Sequence, residues 1–229
     1  MTLTLHRDGF DTDGYVSRFA NKGRIRLEGA IGADEALAIH LALEQQTPWE
    51  LHLMGREGSP EIINRRELSL LPEADIQQRL QDAAELAQNG LSWLRLGFGL
   101  MDRSRDDIAL SPLVALIASE AFAGFCESLT GLSGLTLTAL DAVCYRPGDF
   151  FTRHTDVGAR LGLEWSFTPD WRSDWGGQML FHSPSGDIEG GIMPRMNDLA
   201  LYAGDQPRSI ASVAPYAGGP RFSVTGRFV

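Results

Sequence analysis

The tripeptide His154-Thr155-Asp156, within "CYRPGDFFTRHTD", is the part of this chain best suited to chemistry. The segment predicts the end of a β-strand, and side chains two apart on a strand leave the same face. An imidazole and a carboxylate so placed can point at one small cation. That is the first half of a 2-His-1-carboxylate centre, which leaves open positions on a non-heme Fe(II). His-X-Asp alone is weak, because chance produces it often in a chain of 229 residues. The order of the segments around it decides its value.

Those segments differ between the two halves of the chain. From Leu135 the hydrophobic period is two, in "LTLTALDAVCYR", "RLGLEWSFT", "GGQMLFH", "DLALYAG", "SIASVAP" and "RFSVTGRFV". Six or more short strands separated by turns predict an all-β sandwich or barrel. Residues 31–132 read as helix-rich. Helices are predicted over 32–46, with Asp34 and Glu35 in the first turn, and over 71–90, with Pro near the start and Asn-Gly at the end. A third, apolar helix runs over 111–131, entered at Ser111-Pro112 and stopped by Gly131. Residues 24–29 and 91–100 are short strand candidates. His40 falls within a helix and His52 on a strand face, and neither reads as a ligand. With no internal repeat, linker or low-complexity tract, one domain over 1–229 is expected, with 1–132 as support and 135–229 holding the site.

The net charge of −10 and a pI of about 4.9 argue against a nucleic-acid binder, which needs a basic surface to displace counterions. No run approaches the roughly 18 apolar residues of a membrane span. The N-terminus lacks the basic and apolar succession of a secretory signal. Cys126 and Cys144 lie in apolar patterns and are expected as buried free thiols of a reducing compartment, so a cytoplasmic location is expected.

After "HTD" come a strand, then "TPDW", "DWGGQMLF", "PRMNDLALY", a short loop and the terminal "PRFSVTGRFV". This order resembles the Fe(II)/2-oxoglutarate oxygenases of the prolyl-hydroxylase type, including bacterial proteins similar to oxygen-sensing prolyl hydroxylases. The closest resemblance covers residues 140–229. It implies a double-stranded β-helix, a jelly-roll core braced by N-terminal helices (α+β, mainly β). It also implies Fe(II), 2-oxoglutarate as co-substrate, ascorbate as a reductant, and an amino-acid, peptide or protein substrate.

Residue by residue, His154 and Asp156 match the first two iron ligands of that family. Arg221 matches the arginine that holds the distal carboxylate of 2-oxoglutarate, and a planar, always-charged fork suits a carboxylate. Ser223 lies two residues on, on the same strand face, and could add a hydroxyl. Tyr145 matches a tyrosine lining the co-substrate pocket. Gly176-Gly177 fits a tight turn or a close backbone approach.

One position departs from the pattern. The family's second iron-binding histidine falls where this chain has Arg208, in "PRSIASV", and no histidine follows His182. Arg227 replaces a commonly aromatic residue, and the family's donor near Trp165-Ser166 is not evident. A guanidinium stays protonated and has no lone pair for a metal. Three arrangements are open: Arg208 turns away and leaves iron on His154 and Asp156; another carboxylate such as Asp205 completes the site; or Arg208 takes the metal position and pairs with Asp156. The resemblance accordingly implies a dioxygenase hydroxylating a prolyl or other amino-acid side chain. The alternative is a metal-free relative that binds a ligand or peptide. A cupin-like hydrolase or isomerase is a third reading with little specific support.

Overall fold

The computed structural model describes residues 3–6, 10–101 and 109–229. The first half contributes strands β1 (Arg24–Glu28), β2 (Glu50–Met54), β3 (Pro60–Ile63) and β4 (Trp93–Gly99). The second half contributes β5 (Leu137–Tyr145), β6 (Phe150–His154), β7 (Leu161–Phe167), β8 (Met179–His182), β9 (Ile188–Ile192), β10 (Met196–Ala203), β11 (Arg208–Ile210) and β12 (Arg221–Phe228). They pair in the order β1-β10-β7-β12-β5-β4-β6-β11-β8-β9, with β2 and β3 extending from β4. The pairings are antiparallel, and the sheet folds over where Trp93 and Leu94 of β4 meet Phe151 and Phe150 of β6. The result is the nearly closed jelly roll that the motif order implied.

Helices cover the outer face of the larger layer. They are α1 (Thr12–Lys22), α2 (Ala33–Gln45), α3 (Arg65–Leu70), α4 (Glu73–Ala87), α5 (Ser111–Ile117) and α6 (Glu120–Thr130). α2 packs on β7, β10 and β12, α1 on β1 and α6, and α3 and α4 on the β2–β4 wing. The reason is legible in β7, which is buried along its whole length. Leu161, Leu163, Trp165 and Phe167 join the core beneath the helices, where Trp165 stacks on Phe122 at 6.0 Å. Strand alternation then turns Gly162, Glu164 and Ser166 into the barrel. Gly162 is required there, since a Cβ would lie 2.1 Å from Tyr202 Cε2.

One expectation is corrected. Residues 111–131 form two helices bent by 54°, because the Ser119 side chain caps a new helix by accepting from Phe122 N at 3.1 Å. Residues 52–66 close the β2–β3 hairpin and begin α3. Among the described residues no single helix is long and apolar enough to cross a membrane; α5 and α6 pass only as a bent pair, and their apolar residues sit in the core. Cys126 and Cys144 are free and buried, and burial raises both thiols, Cys144 to about 12.

Candidate functional site

The barrel encloses a cavity of about 210 Å³ lined by Tyr145, His154, Asp156, Glu164, Tyr202 and Arg208, with Arg95, Asp141 and Arg227 also in its wall. β6 and β11 pair so that His154 and Arg208 stand directly opposite each other. Asp156 follows immediately after β6, its backbone N–H donating to Gly204 O at 2.9 Å. Three of the residues singled out from the sequence thus meet at one point.

His154 donates from Nδ1 to Thr152 O at 2.8 Å, which leaves Nε2 as a lone-pair acceptor. Its ring stacks on Phe151 with centroids 3.7 Å apart. Burial above all, and then the Arg208 guanidinium, push the imidazole down to about 3 from 6.5, against the opposing pull of the Thr152 carbonyl. His154 therefore stays neutral in the folded protein while the unfolded chain takes up a proton below about 6.5. Its contribution leaves stability level above that pH and lowers it as the pH falls toward 3. At pH 5, nitrogen-resolved NMR is expected to show a neutral Nδ1–H tautomer. Titration near 6.5 would contradict this placement.

Arg208 is buried, and its Nη2 donates to Asp156 Oδ2 at 2.5 Å. Its guanidinium carbon lies 4.4 Å from the Tyr202 ring centroid. Burial works against its charge, but Tyr202 and Asp156 outweigh that and hold its pKa above the usual arginine value. Of the three arrangements open to this residue, the structure adopts the ion pair. Asp205 is exposed and outside the cavity wall, so it does not complete a ligand set. His182 accepts or donates through Nε2 to Ser209 Oγ at 2.8 Å, as a strand-end polar contact.

Arg221 and Ser223 sit below the cavity wall, both 0% exposed. Arg221 Nη2 donates to Glu164 Oε1 at 2.5 Å and to Ser223 Oγ at 3.2 Å, while Nη1 donates to Gly177 O. The glycine pair makes that last contact possible. Gly176 and Gly177 have φ of 71° and 69°, and a Cβ on Gly176 would lie 2.0 Å from Ser212 O. Tyr145 lies flat beneath this group, its ring centroid 5.1 Å from the Arg221 guanidinium carbon. Burial raises the Tyr145 hydroxyl, and Arg95 and Arg221 partly offset it.

Glu164 and Arg95 escaped the reading of the sequence. The signal for Glu164 was available: a lone carboxylate inside "LGLEWSF" is too costly to bury without a cation. Arg95 gave no comparable signal, since one arginine in a half-buried strand is commonplace.

A jelly roll carrying His-X-Asp at the end of one barrel strand and a buried arginine on the last strand defines a protein class, the double-stranded β-helix of the oxygenases. Comparison agrees. Residues 140–229 match the family model of the 2OG-Fe(II) oxygenase superfamily. Solved structures similar in fold include a Trichoplax adhaerens prolyl hydroxylase in complex with a hypoxia inducible factor peptide fragment (16% identity, TM-score 0.62, covering 95% of this chain and 88% of that one). A Pseudomonas putida prolyl-4-hydroxylase is also similar (18%, 0.58, covering 95% and 98%). So is a 2OG-Fe(II) oxygenase family oxidoreductase from Burkholderia pseudomallei (12%, 0.63, covering 100% and 95%). The fold is of the prolyl-hydroxylase-like type. No curated protein matches the sequence.

The superfamily implies Fe(II) and 2-oxoglutarate, and the residues present do not fit them. Iron needs a third lone-pair donor, and the third position carries a guanidinium bonded to the carboxylate that iron would use. Among the described residues no three His, Cys, Asp or Glu side chains gather to hold a metal. The co-substrate needs Arg221, whose Nη2 and Nη1 are already held by Glu164 and Gly177, leaving only a buried Nε without a partner.

Proposed function

We propose that this chain is a metal-free binding protein of the oxygenase superfamily, with its jelly-roll cavity as the ligand site. The observation that carries this reading is the double internal pairing, Arg208 with Asp156 and Arg221 with Glu164. Each pair removes one group that oxygenase chemistry needs. Both are buried, so neither gives way without leaving a charge unpaired in a poorly solvated place. Within the cavity the residues bind and orient. Tyr145, Tyr202 and Met179 shape the wall, His154 offers a neutral acceptor, and the paired charges hold the barrel in register.

A second reading is a working dioxygenase acting on a prolyl or other amino-acid side chain, free or in a peptide. The neutral His154 with Nε2 free favours it, since a metal-binding histidine holds its other nitrogen in the same way. The experiment that separates the two is a titration of purified protein with Fe(II) or Mn(II), with and without 2-oxoglutarate, followed by a 2-oxoglutarate decarboxylation assay. The proposal expects no saturable metal binding and no succinate. Stoichiometric Mn(II) uptake that depends on 2-oxoglutarate would sink it.

A further inference from the structure

With Arg208, Arg221 and Glu61 taken up by Asp156, Glu164 and Arg79, the cavity's charges reduce to three: Arg95, Arg227 and Asp141. Arg227 and Asp141 lie on adjacent strands, where Arg227 faces Ala139 and Asp141 faces Thr225. They are diagonal neighbours at one end of the barrel with no ion pair between them, and Arg227 is exposed to solvent. Arg95 is at the other end. Register places Leu96 against Cys144, which sets Arg95 beside Tyr145, and Asp141 is four residues away along β5, about 13 Å.

Arg95 has no carboxylate within ion-pair distance among the described residues. Its guanidinium carbon lies 5.7 Å from the Phe151 ring centroid, the ring on which His154 stacks. Its Nε is buried and has no acceptor; Arg208 Nη1 and Arg221 Nε are unpartnered too, but those two cations already hold a carboxylate. A half-buried cation with an idle buried donor, facing a cavity, is the kind of group whose missing partner is a ligand. The space is small, below the roughly 300 Å³ where pockets for drug-sized molecules begin.

We propose that this cavity binds a compact carboxylate on Arg95 and the Tyr145 hydroxyl, an anchor separate from the sealed Arg221. His154 Nε2, left as the acceptor because Nδ1–H is held by Thr152 O, then accepts from a hydroxyl or amide N–H on the same ligand. This rests on the metal-free reading of the cavity and names what that cavity takes.

The test uses the whole protein in chelator. Acetate, glycolate and succinate are titrated by calorimetry and amide NMR, against the unaltered chain, Arg95→Gln and Tyr145→Phe. The expected result is saturable binding of acetate or glycolate. Arg95→Gln weakens it roughly tenfold or more, the scale of a lost charge-assisted hydrogen bond, with circular dichroism and melting unchanged. Glycolate is expected to bind more tightly than acetate, because its hydroxyl reaches His154. Binding unaffected by Arg95→Gln, or absent from the unaltered folded chain, overturns the anchor. Because chelator excludes metal, Mn(II)-dependent uptake of 2-oxoglutarate in a separate titration would instead count against the metal-free reading.

Discussion

Replacing Arg221 with leucine is expected to destabilise the protein by ~3–5 kcal/mol, the cost of leaving one member of a buried ion pair without its partner. The carboxylate at risk is Glu164, buried in β7 with Arg221 Nη2 at 2.5 Å. The double substitution Arg221→Leu with Glu164→Leu removes both charges and is expected to recover most of the loss, as apolar replacements of buried pairs often do. Chemical denaturation of the three proteins measures this directly. The coupling between the sites must then be strongly favourable. If the single variant unfolds at the same denaturant concentration as the unaltered chain, Arg221 is not sealed against Glu164 and is open to an external anion.

The second large effect is a gain. Arg208→His is expected to raise Mn(II) affinity by at least ~100-fold, more than the roughly 10–100-fold that outer-shell partners control. The new imidazole stands directly opposite His154 on β11, and Asp156 is released from its ion pair. Adding Glu164→Ala opens Arg221. 2-Oxoglutarate added in the presence of Mn(II) then raises the melting temperature of the double variant further by mass action, and adds nothing to the Mn(II)-dependent shift of Arg208→His alone. Paramagnetic resonance of bound Mn(II) and thermal melts supply the readouts. Mn(II) binding by the unaltered chain as tight as by Arg208→His would show that Arg208 yields to a metal.

Much of the jelly roll was legible because an antiparallel barrel writes itself as period two. The runs after Leu135 became β5, β7, β8, β10, β11 and β12. β9 was missed, since "IEGGI" is poor in strand formers and holds its place by pairing with β8. The break at Ser119 was hidden for the opposite reason: apolar residues continue through it, and only the serine cap marks it. His154, Asp156, Arg208, Tyr145, Arg221 and Ser223 were singled out through motif order, and the Arg208–Asp156 pair was among the arrangements left open. What the motif order concealed was that Glu164, a residue outside every motif, reaches Arg221 from the adjacent strand β7. A motif marks where a group lies on a strand, and not which long side chain from a neighbouring strand will claim it.

The two internal pairs have a consequence for the apo and holo forms of this fold. In an oxygenase centre a dication, an aspartate, a keto-acid dianion and an arginine sum to zero charge. Here Arg208, Asp156, Glu164 and Arg221 reach the same zero with covalently attached groups. The barrel carries its own counter-ions. Its folding should be indifferent to metal and keto-acid supply, and its interior as well formed in a metal-starved cell as in a replete one.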